Sequence, residues 1–282
     1  MQICGFQKTT LLDYPEHVAA TIFLGGCNFR CPFCYNSDLV LHPDACMQET
    51  EGNVLSFLAK RKGILQGVCV TGGEPTLSPA LPSFLRSIKE LGYPVKLDTN
   101  GSNPSMLQAL YDENLIDYVA MDIKSGISDY LSVCGLSSDS LCADNHSDRV
   151  DATCSLQLSG SAAETTLIKN IKKSIHFLIH ETDASHFQYE FRTTVVKPLH
   201  TAASFLEIAN LIDGADRYFL QSYQNTDAIL ALAAASKAPN TASSRPASPD
   251  FVSFGAYTRE ELESFAEIVR PHVGHIALRG IE

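Results

Sequence analysis

Short apolar runs alternate along the chain with longer amphipathic stretches, and this alternation sets the first expectation. Val18–Leu24, Gly67–Thr71, Val95–Asp98, Tyr118–Ile123, Gln188–Val196, Arg217–Gln221 and a short run near Ile276–Leu278 read as strands. Between them, Met47–Lys62, Ala80–Leu91, Pro104–Glu113, Ala163–His180, Thr201–Asp213 and Thr258–Val269 carry apolar residues at helical spacing. Strands separated by helices imply right-handed βαβ units on a parallel sheet. The pattern predicts an α/β fold, a partial (β/α)6 TIM-like barrel of parallel strands with outer helices. Chemistry then belongs at the C-terminal ends of the strands.

Two stretches break the rhythm. Residues 132–161 are rich in Ser, Asp and Cys, and residues 231–250 in Ala, Ser and Pro. Neither has enough large apolar side chains to offset the entropy of ordering. They read as a polar insertion and a flexible loop within a single domain spanning 1–282. The 282 residues would also accommodate two small domains.

Composition narrows the class. At 45% hydrophobic and 19% charged the chain resembles ordinary soluble proteins, and no apolar stretch approaches the roughly 18 residues of a membrane span. Met1-Gln2-Ile3-Cys4 lacks the basic and apolar regions of a secretory signal, so a cytoplasmic location is expected. A formal net charge of -11 argues against nucleic acid and anionic membranes as partners. It leaves a protein partner or a small substrate. Nine cysteines in such a chain are expected to be reduced thiols.

Three of those thiols are closely spaced. Cys27, Cys31 and Cys34 form a C-x3-C-x2-C pattern just after the first predicted strand and a Gly25-Gly26 turn. Three thiolates on one loop can hold three irons of a cubane cluster and leave the fourth iron open to reaction. Zinc is the rival, with His42 as a conceivable fourth ligand, although no second C-x2-C pair is present. A chance clustering of thiols is the third reading. Cys69 lies in an apolar run and reads as a small buried hydrophobe. Cys4, Cys46, Cys134, Cys142 and Cys154 repeat neither spacing, and no second cluster is expected.

The remaining candidates follow predicted strands. Gly72, Gly73 and Glu74 end the second; glycines there let backbone approach a ligand, and free N–H and C=O groups can grip a zwitterion. An ordinary strand-to-loop turn would look the same. Asp98, Thr99 and Asn100 close the third strand, and Asp122 and Lys124 the fourth. Such charges can bind the ends of an amino acid, or they can cap helices and pair on the surface. Arg192 is either a buried charge partner or a solvated residue. His200 could meet a ribose or be a loop histidine. Phe33 and Tyr35 flank Cys34 and could stack on adenine or join the core.

With these residues together, the chain resembles the radical S-adenosylmethionine (radical SAM) superfamily. Within it, the chain is similar to the activating proteins of anaerobic ribonucleoside-triphosphate reductases, which act on a glycyl radical enzyme. The resemblance is carried by Leu12–Pro15, Gly26–Asn36, Val70–Leu77, Lys96–Pro104, Tyr118–Lys124, Glu190–Val196 and Leu278–Gly280. It implies a [4Fe-4S] cluster on Cys27, Cys31 and Cys34, with S-adenosylmethionine chelating the open iron. Gly72, Gly73 and Glu74 would meet the amino group, Asp98, Thr99, Met121 and Asp122 would line a site next to the carboxylate, and Lys124 would contact S-adenosylmethionine. It further implies an electron from a flavodoxin- or ferredoxin-type donor. Reductive cleavage would yield a 5′-deoxyadenosyl radical that takes hydrogen from a glycine of the partner. Tyr35 departs from the pattern, because many activases carry His there, and no cysteine-rich ferredoxin insert is present. The alternatives are a radical SAM enzyme acting on a small, purine-like molecule and a non-catalytic iron–sulfur or zinc protein.

Overall fold

The computed structural model describes residues 1–46, 49–136, 160–224 and 254–281, with backbone alone over 160–165. One sheet carries its strands in chain order: β1 (Ile3–Thr10), β2 (Ala19–Leu24), β3 (Gly67–Gly72), β4 (Val95–Thr99), β5 (Tyr118–Asp122), β6 (Gln188–Val195), β7 (Ala215–Ser222) and β8 (Val273–Arg279). β1 runs antiparallel to β2, and every later neighbour is parallel. The result is the expected α/β architecture, a partial TIM-type barrel. All the predicted strands form, and β1 is added to them. Gly5, Gln7 and Lys8 break its apolar alternation, so its pairing with β2 rather than its own pattern makes it a strand.

Helices follow the strands: α1 (Ser37–Leu41), α2 (Glu51–Lys60), α3 (Leu81–Glu90), α4 (Pro104–Asp112), α5 (Tyr130–Val133), α6 (Gly160–His180), α7 (Ala202–Leu211) and α8 (Arg259–Val269). α3 shows the logic. Leu81, Phe84, Leu85 and Ile88 recur at helical spacing and are all buried, each stabilising the fold by about 1.5–3 kcal/mol. α7 and α8 begin at Thr201 and Thr258, each closing a capping box with the residue three positions on. α1 and α5 are too short to show a period, and the sequence reading passed over both. The predicted start of α2 at Met47 falls outside the described residues, as do most of the 132–161 insertion and all of 231–250.

Alternation within the strands gives the sheet two unlike faces. Val68, Val70, Val95, Leu97, Val119, Met121, Phe191 and Leu220 join the core that the helices complete. The opposite face carries Cys69, Lys96, Asp98, Tyr118, Asp122, Glu190 and Arg192, linked across strands by hydrogen bonds. The barrel interior is therefore polar, whereas closed barrels of this type pack theirs with branched apolar side chains. Arg279 of β8 grips Glu190 of β6 with two bonds of 2.7 and 2.9 Å, and Tyr118 donates to the same carboxylate at 2.6 Å.

One expectation is corrected. Cys4 and Cys46, read as reduced thiols, are joined in a disulfide with Cα atoms 5.0 Å apart. Their distance along the sequence hid the contact, which arises because the segment after α1 folds back onto β1. Among the described residues, no helix is long and apolar enough to cross a membrane.

Candidate active site

The C-terminal rim of the sheet is drawn together by glycines. Gly26 and Gly72 adopt φ values of 86° and 123°, the left-handed region open to glycine. Gly73 and Glu74 donate their N–H groups to Leu24 and Gly26, each at 2.8 Å. A Cβ on Gly73 would stand 1.9 Å from the Gly26 carbonyl oxygen, so only glycine permits this approach. The exits of β2 and β3 are thereby joined, and the loop bearing the three cysteines starts from that junction.

Cys27, Cys31 and Cys34 line one wall of a cavity of about 270 Å³ at this rim. The Phe29 N–H donates to Cys27 Sγ at 3.3 Å, and Asn100 Nδ2 lies 3.9 Å from the same sulfur. Burial pushes the Cys27 thiol up to about 12 and raises Cys34 as well. Cys31 is the exception: a hydrogen bond with the buried thiol of Cys134 draws it below the usual thiol range. Among the described residues, no three His, Cys, Asp or Glu side chains converge on a single ion. A mononuclear zinc site with four convergent ligands does not match that geometry. Three thiol donors on one loop lining the cavity fit a polynuclear iron–sulfur group.

The same cavity is bordered by a chain of charges. Lys96 donates to Asp98, Arg192 reaches Asp98 at 3.1 Å and Asp122 at 2.5 Å, and Lys124 donates to Asp122 at 2.9 Å. Lys96 is 2% exposed. Burial would raise both carboxyls, but Arg192 with Lys96 holds Asp98 below the carboxylate range, and Arg192 with Lys124 holds Asp122 lower still. Three cations against two anions leave one positive charge, which suits an anionic group placed over this floor.

Most of the predicted residues meet here. Phe33, Tyr35, Gly72 and Gly73 line the cavity, as do Thr99, Asn100 and the charged groups Asp98, Asp122, Lys124 and Arg192. Two do not line it. Glu74 is buried behind the rim, where it accepts from Thr76 N–H at 3.1 Å, Thr99 Oγ1 at 2.7 Å and Asn100 N–H at 2.6 Å. It shapes the loop after β4 instead of facing a ligand. His200 is 0% exposed. Val196 N–H donates to its Nδ1 at 3.0 Å, which leaves Nε2 to donate to the Lys124 carbonyl at 2.8 Å. Burial lowers its pKa, and the ring supports Lys124 from the rear. Tyr35 reaches outward: its hydroxyl accepts from Gln224 N–H at 2.6 Å and its ring stacks on Tyr223.

Several participants escaped the sequence reading. Asn36 donates to the Gly72 carbonyl at 3.2 Å, and Thr194 and Gln221 line the wall away from the thiols. Lys96 was quoted only within a longer stretch, although its place two residues before Asp98 on one strand was a usable signal.

The sequence and the fold both resemble those of known proteins. Residues 21–141, which hold the thiol loop, the glycine rim and Asp98, Asp122 and Lys124, match the model of the radical SAM superfamily. The chain is similar to that superfamily over this segment. Its members use a [4Fe-4S] cluster and S-adenosylmethionine. A Methanocaldococcus jannaschii protein named as a glycyl-radical enzyme activating enzyme is 29% identical over 80% of this chain and 81% of its own length. The 7-carboxy-7-deazaguanine synthase of Neisseria meningitidis serogroup B is 33% identical, over 38% of this chain and 44% of its own. The chain thus spans most of the first relative and under half of the second. Streptococcus suis SuiB superposes with a TM-score of 0.53 at 14% identity, covering 95% of this chain and 50% of SuiB, a likeness of fold alone.

Proposed function

We propose that this protein is a radical SAM activase that installs a glycyl radical on a partner enzyme, an anaerobic ribonucleoside-triphosphate reductase. The observation that carries the reading is the likeness, over four-fifths of both chains, to a protein named as a glycyl-radical enzyme activating enzyme, and the choice of reductase rests on the sequence resemblance. The cavity supports it by bringing three thiols and a set of paired charges to one rim.

In this reading Cys27, Cys31 and Cys34 hold the [4Fe-4S] cluster. When bound, the cluster and S-adenosylmethionine together supply the electron and the adenosyl group from which a hydrogen-abstracting radical arises. The protein binds and orients. Backbone groups of Gly72 and Gly73 receive the amino end of the methionine, and Lys124 and Arg192 hold its carboxylate. Asp98 and Asp122 fix the guanidinium between them. Phe33 and Tyr35 border the nucleoside, and Thr99 and Asn100 orient it. Glu74 and His200 act one layer back, through the loop after β4 and the Lys124 backbone. The uncharged rim at Thr194 and Gln221 is left for a peptide backbone. A flavodoxin or ferredoxin would deliver the electron, and the setting is the cytoplasm.

Deoxyadenosine production tests the chemistry, and electron paramagnetic resonance tests the partner. Anaerobically reconstituted protein with S-adenosylmethionine and a strong reductant should yield 5′-deoxyadenosine. Adding the reductase should then give a glycyl radical signal on it. The partial likeness to a deazaguanine synthase favours a second reading, action on a small heterocycle. Cleavage coupled to such a molecule, with no radical on any glycyl enzyme, would replace the first reading by the second.

A further inference from the structure

Leu278–Gly280, singled out in the sequence, has no part in the proposed function. It closes β8, which among the described residues pairs with β7 alone and so borders the open side of the partial barrel. Arg279 lies opposite Gln221 of β7, and Gln221 lies opposite Thr194, its register neighbour on β6. Gln221 and Thr194 line the cavity, so this row carries the cavity edge out to the open side. Tyr35, next to Cys34 in the sequence, is tied to the same place. Its hydroxyl accepts from Gln224 N–H at 2.6 Å, and Gln224 Nε2 donates to the Gly280 carbonyl at 3.0 Å.

The Arg279 side chain is held firmly but not fully engaged. Nη1 and Nη2 donate to the two oxygens of Glu190, and the guanidinium carbon stands 3.4 Å from the centroid of the Phe219 ring. Glu190 is 1% exposed and the Arg279 side chain 38% exposed, so the pair has a buried anion and an accessible cation. A carboxylate so buried keeps its cation, because leaving it unpaired is costly. A guanidinium carries five N–H donors. Those not aimed at Glu190 meet no acceptor among the described residues, and the side chains of Thr194 and Gln221 are equally free there. Charge then selects the ligand. Glu190 balances Arg279, so an anion would have to share the guanidinium with a carboxylate that repels it. A peptide carbonyl accepts the same bond without net charge, and the Gln221 amide can answer both the N–H and the C=O of a main chain.

We infer that Arg279 is a specificity residue for the partner enzyme, donating to a main-chain carbonyl of the extended segment that carries the target glycine. The inference rests on the activase reading and names how the peptide of that reading is held. Thr194 and Gln221 meet the segment at the cavity, and Arg279 meets it as it enters from the open side. Because Glu190 and Phe219 fix the guanidinium before the peptide arrives, little ordering is left to oppose binding.

The test is direct binding to the full-length, cluster-loaded protein with S-adenosylmethionine and no reductant. The probe is a fluorescein-labelled synthetic peptide spanning the radical glycine of the anaerobic ribonucleoside-triphosphate reductase, read by fluorescence anisotropy. A matched set replaces single backbone amides by esters, whose carbonyls are weaker acceptors. Two variants separate recognition from folding. Arg279→Lys keeps a cation beside Glu190 but loses the planar fork. The double variant Arg279→Gln with Glu190→Gln removes both charges together, leaving neither alone. In each, Kd for the all-amide peptide should rise about tenfold, as for the loss of one hydrogen bond to a charged donor. At one ester position the wild type should lose affinity, and both variants should show no such loss, since the bond is already absent. Equal Kd values for wild type and both variants would overturn the inference, as would an ester penalty that persists in the variants. Failure of both variants to fold would overturn it too, because Arg279 would then be a structural residue. A free C-terminal carboxylate that the wild type alone prefers to the amidated peptide would replace carbonyl recognition by anion recognition. Wild-type protein that binds no peptide would also overturn the inference. A glycyl radical on the intact reductase would then keep the activase reading, and its absence would end that reading as well.

Discussion

Cys27, Cys31 and Cys34 lie within one short loop, whereas the charged floor of the cavity draws Lys96 and Asp98 from β4, Asp122 from β5 with Lys124 just beyond it, and Arg192 from β6. The two sides differ equally in their chemistry. Cys31 is buried and Cys27 and Cys34 are half-buried, and burial raises the thiols of Cys27 and Cys34. Their thiolate forms are costly without a cation close by. The floor needs nothing added, since each charge in it already has an opposite partner. One side is built to be completed by a ligand, and the other to hold its own shape while presenting a surplus of positive charge.

The largest effect should come from the incomplete side. Cys31→Ala removes one of three ligands and should abolish both iron–sulfur absorbance and 5′-deoxyadenosine formation. Because no structural pair depends on Cys31 within the floor, denaturant unfolding of the cluster-free protein should change far less. Retained activity in this variant would end the comparison as drawn.

The floor should respond in the opposite manner. Arg192→Met leaves Asp98 and Asp122 facing each other without their shared cation. Breaking a buried pair in this way should cost about 3–5 kcal/mol in urea unfolding, and S-adenosylmethionine binding should weaken with it. An unchanged midpoint would show that the floor is not the self-supporting unit its geometry describes.

Gly73→Ala sharpens the junction between the two sides. The added methyl would meet the Gly26 carbonyl, forcing the exits of β2 and β3 apart at a cost of about 1–3 kcal/mol. Cluster loading should survive, while affinity for S-adenosylmethionine, read by equilibrium dialysis, should fall.

The smallest effect is a pH dependence. His200 is buried neutral, with its folded pKa below the ordinary value of about 6.5. As pH falls, the unfolded chain takes up that proton first. The stability due to neutral His200 is therefore complete above about 6.5 and declines below it, by at most about 1.4 kcal/mol per pH unit, until the folded group titrates. His200→Gln should flatten that slope in urea unfolding between about pH 5 and 7. Asp98 and Asp122, with lowered pKa values, contribute stability that is lost only at more acidic pH, so the two windows are separable.

What the sequence by itself determined is whatever depends on neighbours along the chain. The seven parallel strands and six longer helices were legible because periodicity reports a buried face directly. The C-x3-C-x2-C loop and the Gly72-Gly73 turn were legible because their spacing is local. Only the tertiary structure decided the rest. β1 became a strand through β2, and Cys4 found Cys46 after the chain folded back. Arg192 of β6 reached Asp98 of β4 across the intervening β5 because parallel register brings the three strand ends level. Glu74 and His200 turned away from the cavity to satisfy buried backbone and hydroxyl groups, needs that exist only once those groups have lost their water. Cys134 came to be held against the thiol loop by a backbone hydrogen bond from Arg30, a contact between distant segments that no residue pattern encodes. Periodicity and spacing constrain which face is apolar and which residues are near in sequence. Which charges and thiols finally touch is fixed by register and packing between segments far apart in the chain.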